Sequence, residues 1–240
     1  MADVLYIIGD GSKYGNAELK YSLRSLSKYG RNYGRVFITG KCPDFVNRAR
    51  VIFTPEIDIG RPMINHWWKV FQTFWKTEIS EKIVLMYDDV FLTRPVDLSH
   101  YPWYYRGELP HDKPHGEYGK CLYAARLELE KNEIRTQHNF ECHCPCIYQR
   151  KMFLTFSPLY DALKLCDSPP AVRSMYANTW LCTDDNHVKF RDDMKIRAFV
   201  KDLPALISDR DCFSIADDCF EGSVEDYLKS EFPEKCEYER

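Results

Sequence analysis

The chain has 240 residues, 45% of them apolar and 29% charged, with a formal net charge of −3 at pH 7. That length suits a substantial buried core, and the near-neutral charge removes any global pull toward nucleic acid or an anionic membrane. No run approaches the roughly 20 apolar residues needed to span a bilayer, and the opening "MADVLYIIGDG" turns polar too soon for a signal peptide, so a cytoplasmic protein is expected.

In chain order, the apolar run 3–9 reads as a buried strand, followed by the polar, glycine-bearing turn "DGSKYGN". Asn16 is placed to cap a helix carrying Leu19, Leu23 and Leu26 on one stripe, ended by Gly30 or Gly34. Strands are expected at 35–40 and 50–56. A helix follows over 63–79, with Trp67, Val70, Phe71 and Phe74 at 3–4 spacing. Residues 81–92 read as a buried strand that runs into two acids, Asp88 and Asp89, with an apolar pair resuming after them. The stretch 96–140 reads as mostly irregular, with a strand at 119–126 and a polar turn at 130–135. Short helices are expected at 158–166 and 174–182, a strand at 194–200 and a terminal helix at 223–233. The alternation of strands and helices predicts an α/β fold with a mainly parallel sheet, and no repeat or linker divides the chain, so 1–240 is read as a single domain.

Ligands of such sheets collect at the C-terminal ends of strands, where Gly9, Asp10, Gly11 and Ser12 stand, as do Asp88 and Asp89. Carboxylates beside a buried strand need a cation or donors to offset their desolvation. Their oxygens suit Mg²⁺ or Mn²⁺ bound together with substrate phosphates. The segment "FECHCPC" (140–146) poses a different question. Its cysteines fall at i, i+2 and i+4, which on an extended strand puts Cys142, Cys144 and Cys146 on one face, where three thiolates cannot wrap a tetrahedral ion. They are read as small buried hydrophobes, and His143, facing the other way, becomes the residue to explain. The other seven, Cys42, Cys121, Cys166, Cys182, Cys212, Cys219 and Cys236, lack CxxC spacing and are expected to be free thiols.

Four blocks, in order, resemble the Stealth family of nucleotide-sugar-dependent transferases, which includes bacterial capsule-polysaccharide enzymes and the lysosomal-enzyme N-acetylglucosamine-1-phosphotransferase. They are "DVLYIIGDGSKYGNAELKYSLRSL"; "INHWWK" with "VLMYDDVFL"; "HNFECHCPCIYQRK" followed by Arg173 in "PPAVRSMYANTW"; and the tail "FPEKCEYE". Two departures stand out: Tyr87 replaces an asparagine often found before the acids, and Asn65 lies near a glutamate used by some members.

The resemblance implies a GT-A-like nucleotide-diphospho-sugar transferase, with a mostly parallel central sheet flanked by helices. It implies a Mn²⁺ or Mg²⁺ ion held by Asp88 or Asp89, with His143 completing its shell or contacting phosphate. Arg173 would offer a planar donor fork to the donor's diphosphate. Gly9, Asp10, Gly11 and Ser12 would line the nucleotide pocket, with Arg24 and Lys69 beside it, and the second acid would deprotonate an acceptor hydroxyl. Transfer of a glycosyl group to a carbohydrate is the favoured outcome, with sugar-1-phosphate transfer as the alternative. Two further readings are a sugar transferase acting on hydroxymethylated DNA bases and a non-catalytic binding module. The DNA reading would use Lys189, Arg191, Lys195, Arg197 and Lys201, a basic stretch interrupted by Asp192 and Asp193.

Overall fold

The computed structural model describes residues 1–163, 165–181 and 188–240. Cys182 and the end of the helix expected over 174–182 lie outside these residues, as does position 164 of the helix expected over 158–166. In chain order the elements are β1 (Ala2–Ile8), α1 (Ala17–Tyr29), β2 (Gly30–Arg31), β3 (Tyr33–Gly40), β4 (Val51–Pro55), α2 (Pro62–Lys76), β5 (Lys82–Met86), β6 (Val90–Leu92), β7 (Val96–Asp97) and β8 (Trp103–Tyr105). They continue with α3 (Glu117–Lys131), β9 (Cys146–Gln149), α4 (Arg150–Phe153), α5 (Leu159–Leu163), α6 (Val172–Trp180), β10 (Val188–Phe190), β11 (Lys195–Ile196), α7 (Leu203–Ile207), β12 (Cys212–Ile215) and α8 (Ser223–Glu231).

The central sheet has the order β4-β3-β1-β5-β9. Its first four strands are parallel and β9 closes one edge antiparallel to β5. Period-two alternation sends Leu5, Phe37, Ile83 and Leu85 to the face covered by Trp67, Val70, Phe71 and Phe74 of α2. The intervening Val4, Tyr6, Ile8, Val36 and Ile38 pack on Leu19, Leu23 and Leu26 of α1. Because β1 lies between β3 and β5, the chain reverses its direction of growth at β1, and the crevice there opens at the C-terminal ends of β1 and β5.

Several expectations need correction. The strand expected at 119–126 is helix α3, whose buried Cys121, Leu122, Ala125 and Leu129 recur at helical spacing. The strand expected over 81–92 breaks at the acids: β5 ends at Met86, and Val90–Leu92 leave for a second sheet, β11-β12-β6. The strand expected at 194–200 shortens to Lys195–Ile196. Asn16 does not cap α1 with its side chain; it takes a left-handed backbone conformation (φ 61°). Instead the Ser12 hydroxyl accepts from the Tyr14 and Asn16 amides (3.2 and 2.9 Å) and donates to Glu18 (2.9 Å).

The three clustered cysteines do not share one strand face. Strand β9 starts only at Cys146, and the preceding backbone curls, with Cys142 N donating to Phe140 O and Cys144 N to Cys142 O. Cys142 and Cys144 pack into the core beneath α1, whereas Cys146 joins the core beneath α2. All three are buried, and the nine described cysteines are free. Burial pushes the Cys142 thiol up to about 12 and raises those of Cys144 and Cys146. All three should therefore resist a thiol reagent at pH 8 in the native protein and react after denaturation. Stoichiometric zinc that is lost in Cys144→Ser would contradict this.

Arg24, expected beside the nucleotide, is spent on the fold. Its Nε and Nη2 form a two-pronged pair with Glu239 (2.6 and 2.9 Å), and Nη1 donates to Phe232 O (2.8 Å). Both side chains are buried, so the pair ties the tail to α1. Glu239→Gln should cost about 3 kcal/mol in urea unfolding, because it strands a buried guanidinium.

Candidate functional site

At the crevice lies a cavity of about 630 Å³ that gathers eight of the ten residues singled out from sequence: Gly9, Gly11, Ser12, Lys69, Asp88, Asp89, His143 and Arg173. The other two, Asp10 and Arg24, do not line it. Asp10 is exposed and pairs with Lys41 (3.1 Å).

Gly9 permits a close approach: a Cβ there would sit 3.2 Å from Asp58 Oδ2. Lys69, buried on α2, donates to Ile8 O (2.6 Å) and pairs with Asp58. Its charge therefore holds the end of β1 against the α2 approach rather than standing free. Asn65, the departure noted in the sequence, accepts from the Ile59 and Gly60 amides (2.9 and 3.1 Å) and donates to Gly60 O (2.8 Å), so its side chain shapes that same loop.

The two acids differ in circumstance. Asp89 Oδ2 accepts from Lys195 Nζ (2.8 Å) and Ser214 Oγ (2.9 Å). The second sheet delivers both partners, since Lys195 on β11 pairs with Ser214 on β12, which faces Val90 on β6. Asp88 has no such cation among the described residues. Burial, then Asp89 and Glu18, push its carboxyl up to about 7.

His143 precedes β9, and its Nδ1 lies 3.0 Å from Asp193 Oδ2. Burial lowers its basicity although Asp193 opposes the shift. Arg173, in the first turn of α6, is 3% exposed, with Nε and Nη2 unpartnered among the described residues. Its guanidinium sits 4.5 Å from the centre of the Tyr87 ring, a cation–π contact that asparagine could not provide. The Tyr87 hydroxyl is in turn 2.9 Å from His66 Nδ1. Burial, then the Arg173 charge, hold His66 well below its usual range, so it stands neutral beside the arginine.

Sequence reasoning missed Glu18, Asp58, Glu141, Lys195 and Asp217 as cavity residues. Asp217 had a readable signal, an acid just beyond the short strand Cys212–Ile215, in the manner of Asp88 after β5. Glu141 is held by the Ser174 amide (3.0 Å) at the start of α6. Lys195 appeared only as one member of a basic stretch. Three of the five cations in that stretch are paired: Arg191 with Asp211, Lys195 with Asp89 and Arg197 with Asp193.

Among the described residues, seven carboxylates line the cavity against three lysine or arginine side chains. Such an excess repels a diphosphate unless a cation enters with it. Among the described residues, no three His, Cys, Asp or Glu side chains are arranged to enclose a metal ion. The trio expected from sequence does not close a shell, because Lys195 and Ser214 occupy Asp89 and Asp193 occupies one His143 nitrogen. Asp88, uncompensated and rich in hard oxygen, does fit one corner of a Mg²⁺ or Mn²⁺ shell completed by phosphate and water. No helix among the described residues is long and apolar enough to cross a membrane.

No protein-family model matches the chain, and no curated protein matches it. Among solved structures it is similar to an active-site mutant of LgtC, at TM-score 0.51 and 11% identity over 98% of each chain. It is also similar to the galactosyltransferase LgtC in complex with donor and acceptor sugar analogues, at TM-score 0.49 and 12% identity over 98% of each chain. At such low identity the shared property is the fold. The chain therefore has a GT-A-like glycosyltransferase fold, built on a mostly parallel sheet with helices on both faces.

Proposed function

We propose that the chain is a nucleotide-sugar-dependent glycosyltransferase that moves a sugar from a nucleoside-diphosphate donor to a carbohydrate hydroxyl in the cytoplasm. Arg173 carries this reading: a buried guanidinium keeps two nitrogens unpartnered, among the described residues, at the crevice of a GT-A-like sheet. Buried polar groups are normally satisfied, so this fork is built for an anion that arrives from outside.

The donor's nucleotide rests against Gly9, Gly11 and Ser12, where backbone approaches closely. Arg173 donates to the diphosphate and offsets the charge that grows on it as the glycosidic bond breaks. Asp88 would contribute its carboxylate to a Mn²⁺ or Mg²⁺ ion. When bound, that ion supplies Lewis-acid neutralisation of the leaving diphosphate. Asp89, ionised between Lys195 and Ser214, keeps Lys195 turned into the cavity. His143 stands beside the acids with one ring nitrogen left for the reacting groups.

The Stealth-like blocks fit glycosyl transfer and sugar-1-phosphate transfer alike. In a sugar-1-phosphate transfer the leaving group would be a nucleoside monophosphate, whereas glycosyl transfer releases a diphosphate. The experiment is a panel of nucleotide sugars incubated with the protein and Mn²⁺, read by ³¹P NMR for donor breakdown. Slow release of a nucleoside diphosphate is expected from one donor. Monophosphate release would move the assignment to phosphosugar transfer, and a panel with neither breakdown nor binding would refute both.

A further inference from the structure

Asp193 interrupts the basic stretch in sequence and takes no part in the reading above, yet its carboxylate is the most heavily bonded in the molecule's site region. Oδ1 accepts from the backbone N of His143 (3.0 Å) and lies 3.1 Å from the ring Nδ1. Oδ2 lies 3.0 Å from the same Nδ1 and accepts from Arg106 Nη1 (2.9 Å) and Arg197 Nη2 (2.8 Å). The side chain is 6% exposed, so water does not compete for these bonds. One carboxylate thereby joins three segments: the turn before β9, the end of β8 and the chain just after β11.

Two consequences follow from hydrogen-bond chemistry. A carboxylate bonded to two guanidinium groups is ionised and only accepts, so the proton shared with His143 resides on Nδ1. A neutral imidazole with Nδ1 protonated carries its lone pair on Nε2. The two arginines also absorb most of the Asp193 charge, which leaves little to hold a second proton on the ring. The backbone N–H of His143 and its Nδ1 share Oδ1, so the carboxylate fixes the ring's orientation as well as its tautomer.

We propose that Asp193 is the positioning residue of the site, holding His143 as the Nδ1–H tautomer so that Nε2 meets the reacting groups as a lone-pair acceptor. This rests on the glycosyltransferase reading for what the acceptor does, but not for the tautomer itself. It decides between two roles the sequence left open for His143. Nε2 accepts a proton or ligates a cation; it does not donate to a phosphate.

The test has two arms. In the first, histidine-labelled ¹⁵N protein without ligands is examined at pH 8 by long-range ¹H–¹⁵N spectra, with His143 assigned by its absence in His143→Gln. A protonated Nδ1 and a pyridine-like Nε2 are expected. A protonated Nε2, or a doubly protonated ring, overturns the proposal whatever the enzyme does. In Asp193→Asn the new amide can donate to Nδ1, and the spectrum should show gain of the Nε2–H form.

The second arm uses the donor identified by the nucleotide-sugar panel. Asp193→Asn should lower kcat about 10-fold to 100-fold, the range for loss of a group that orients a ligating or proton-accepting histidine. The donor KM should stay within about threefold, because ground-state donor contacts are untouched. Asp192→Asn, at the exposed neighbouring position, should behave as wild type. Full kcat in folded Asp193→Asn, with only a lower Tm, would reduce Asp193 to a staple between loops and overturn the proposal. If no donor turns over, the glycosyltransferase reading falls while the tautomer arm still decides the positioning claim.

Discussion

Arg173→Ala should weaken donor binding and slow turnover together, each by roughly 30-fold or more, the effect of removing one member of a desolvated charge pair. A guanidinium that is 3% exposed, with Nε and Nη2 unpartnered among the described residues, is costly to maintain in the free protein. Tyr87 offsets part of that cost through its ring face, and the buried Glu141 carboxylate part through its charge. The rest is recovered only when an anion arrives. Because the donor's diphosphate is charged before the bond breaks as well as during it, the contact acts on affinity and on rate alike. Arg173→Lys should not restore function, since an ammonium cannot offer two parallel donors. Isothermal titration with the donor and steady-state kinetics measure the first effect. Unchanged affinity in folded Arg173→Ala would remove the central support of the assignment.

Asp88→Asn should abolish turnover by about 100-fold or more while stabilising the cation-free protein, a pairing expected of a functional charge held against its own solvation. The sign follows from linkage. The Asp88 carboxyl is pushed up to about 7 by burial and then by Asp89 and Glu18, against 3.8 when unperturbed. Between those values the native state holds a proton that the unfolded chain has released, so stability falls as pH rises through this window. Above about pH 7 the native carboxylate is ionised and the full penalty applies. Asparagine escapes it. Denaturant unfolding without divalent cations should therefore show Asp88→Asn more stable than wild type by at least about 1 kcal/mol at pH 8. The gap should close as pH falls to about 4. Added Mn²⁺ should stabilise wild type at pH 8 by mass action and leave Asp88→Asn unmoved. A variant that is less stable than wild type at pH 8 would mean that the acids of this cavity are not in mutual repulsion.

Asp89 shows why two adjacent acids with the same sequence signal have different physical states. Its partners Lys195 and Ser214 lie more than 100 residues away, and a second sheet brings them in. Nothing local in "YDDV" separates an anchored carboxylate from a repelled one. The same holds for Arg24. Its place in an "L-R-S" helix pattern suggested the nucleotide, and Glu239, 215 residues on, took it instead.

By itself the sequence determined the alternation of strands and helices, the two-faced burial of β1 and β5, and the position of the glycine turn and acid pair at strand ends. These rest on local periodicity and on the rule that parallel sheets bind ligands where strands finish. His143 and Arg173 were also legible through their motifs, although they converge only after folding. Helix α3 was readable too, since Leu122, Ala125 and Leu129 recur at 3–4 spacing; the aromatic, proline-rich setting of 96–116 hid it. Tertiary structure alone decided which side chains remain uncompensated. Ion pairing spans long loops and leaves no periodic trace, so the buried Arg173, the repelled Asp88 and the Asp193 carboxylate behind His143 emerge only when distant segments come together around the cavity.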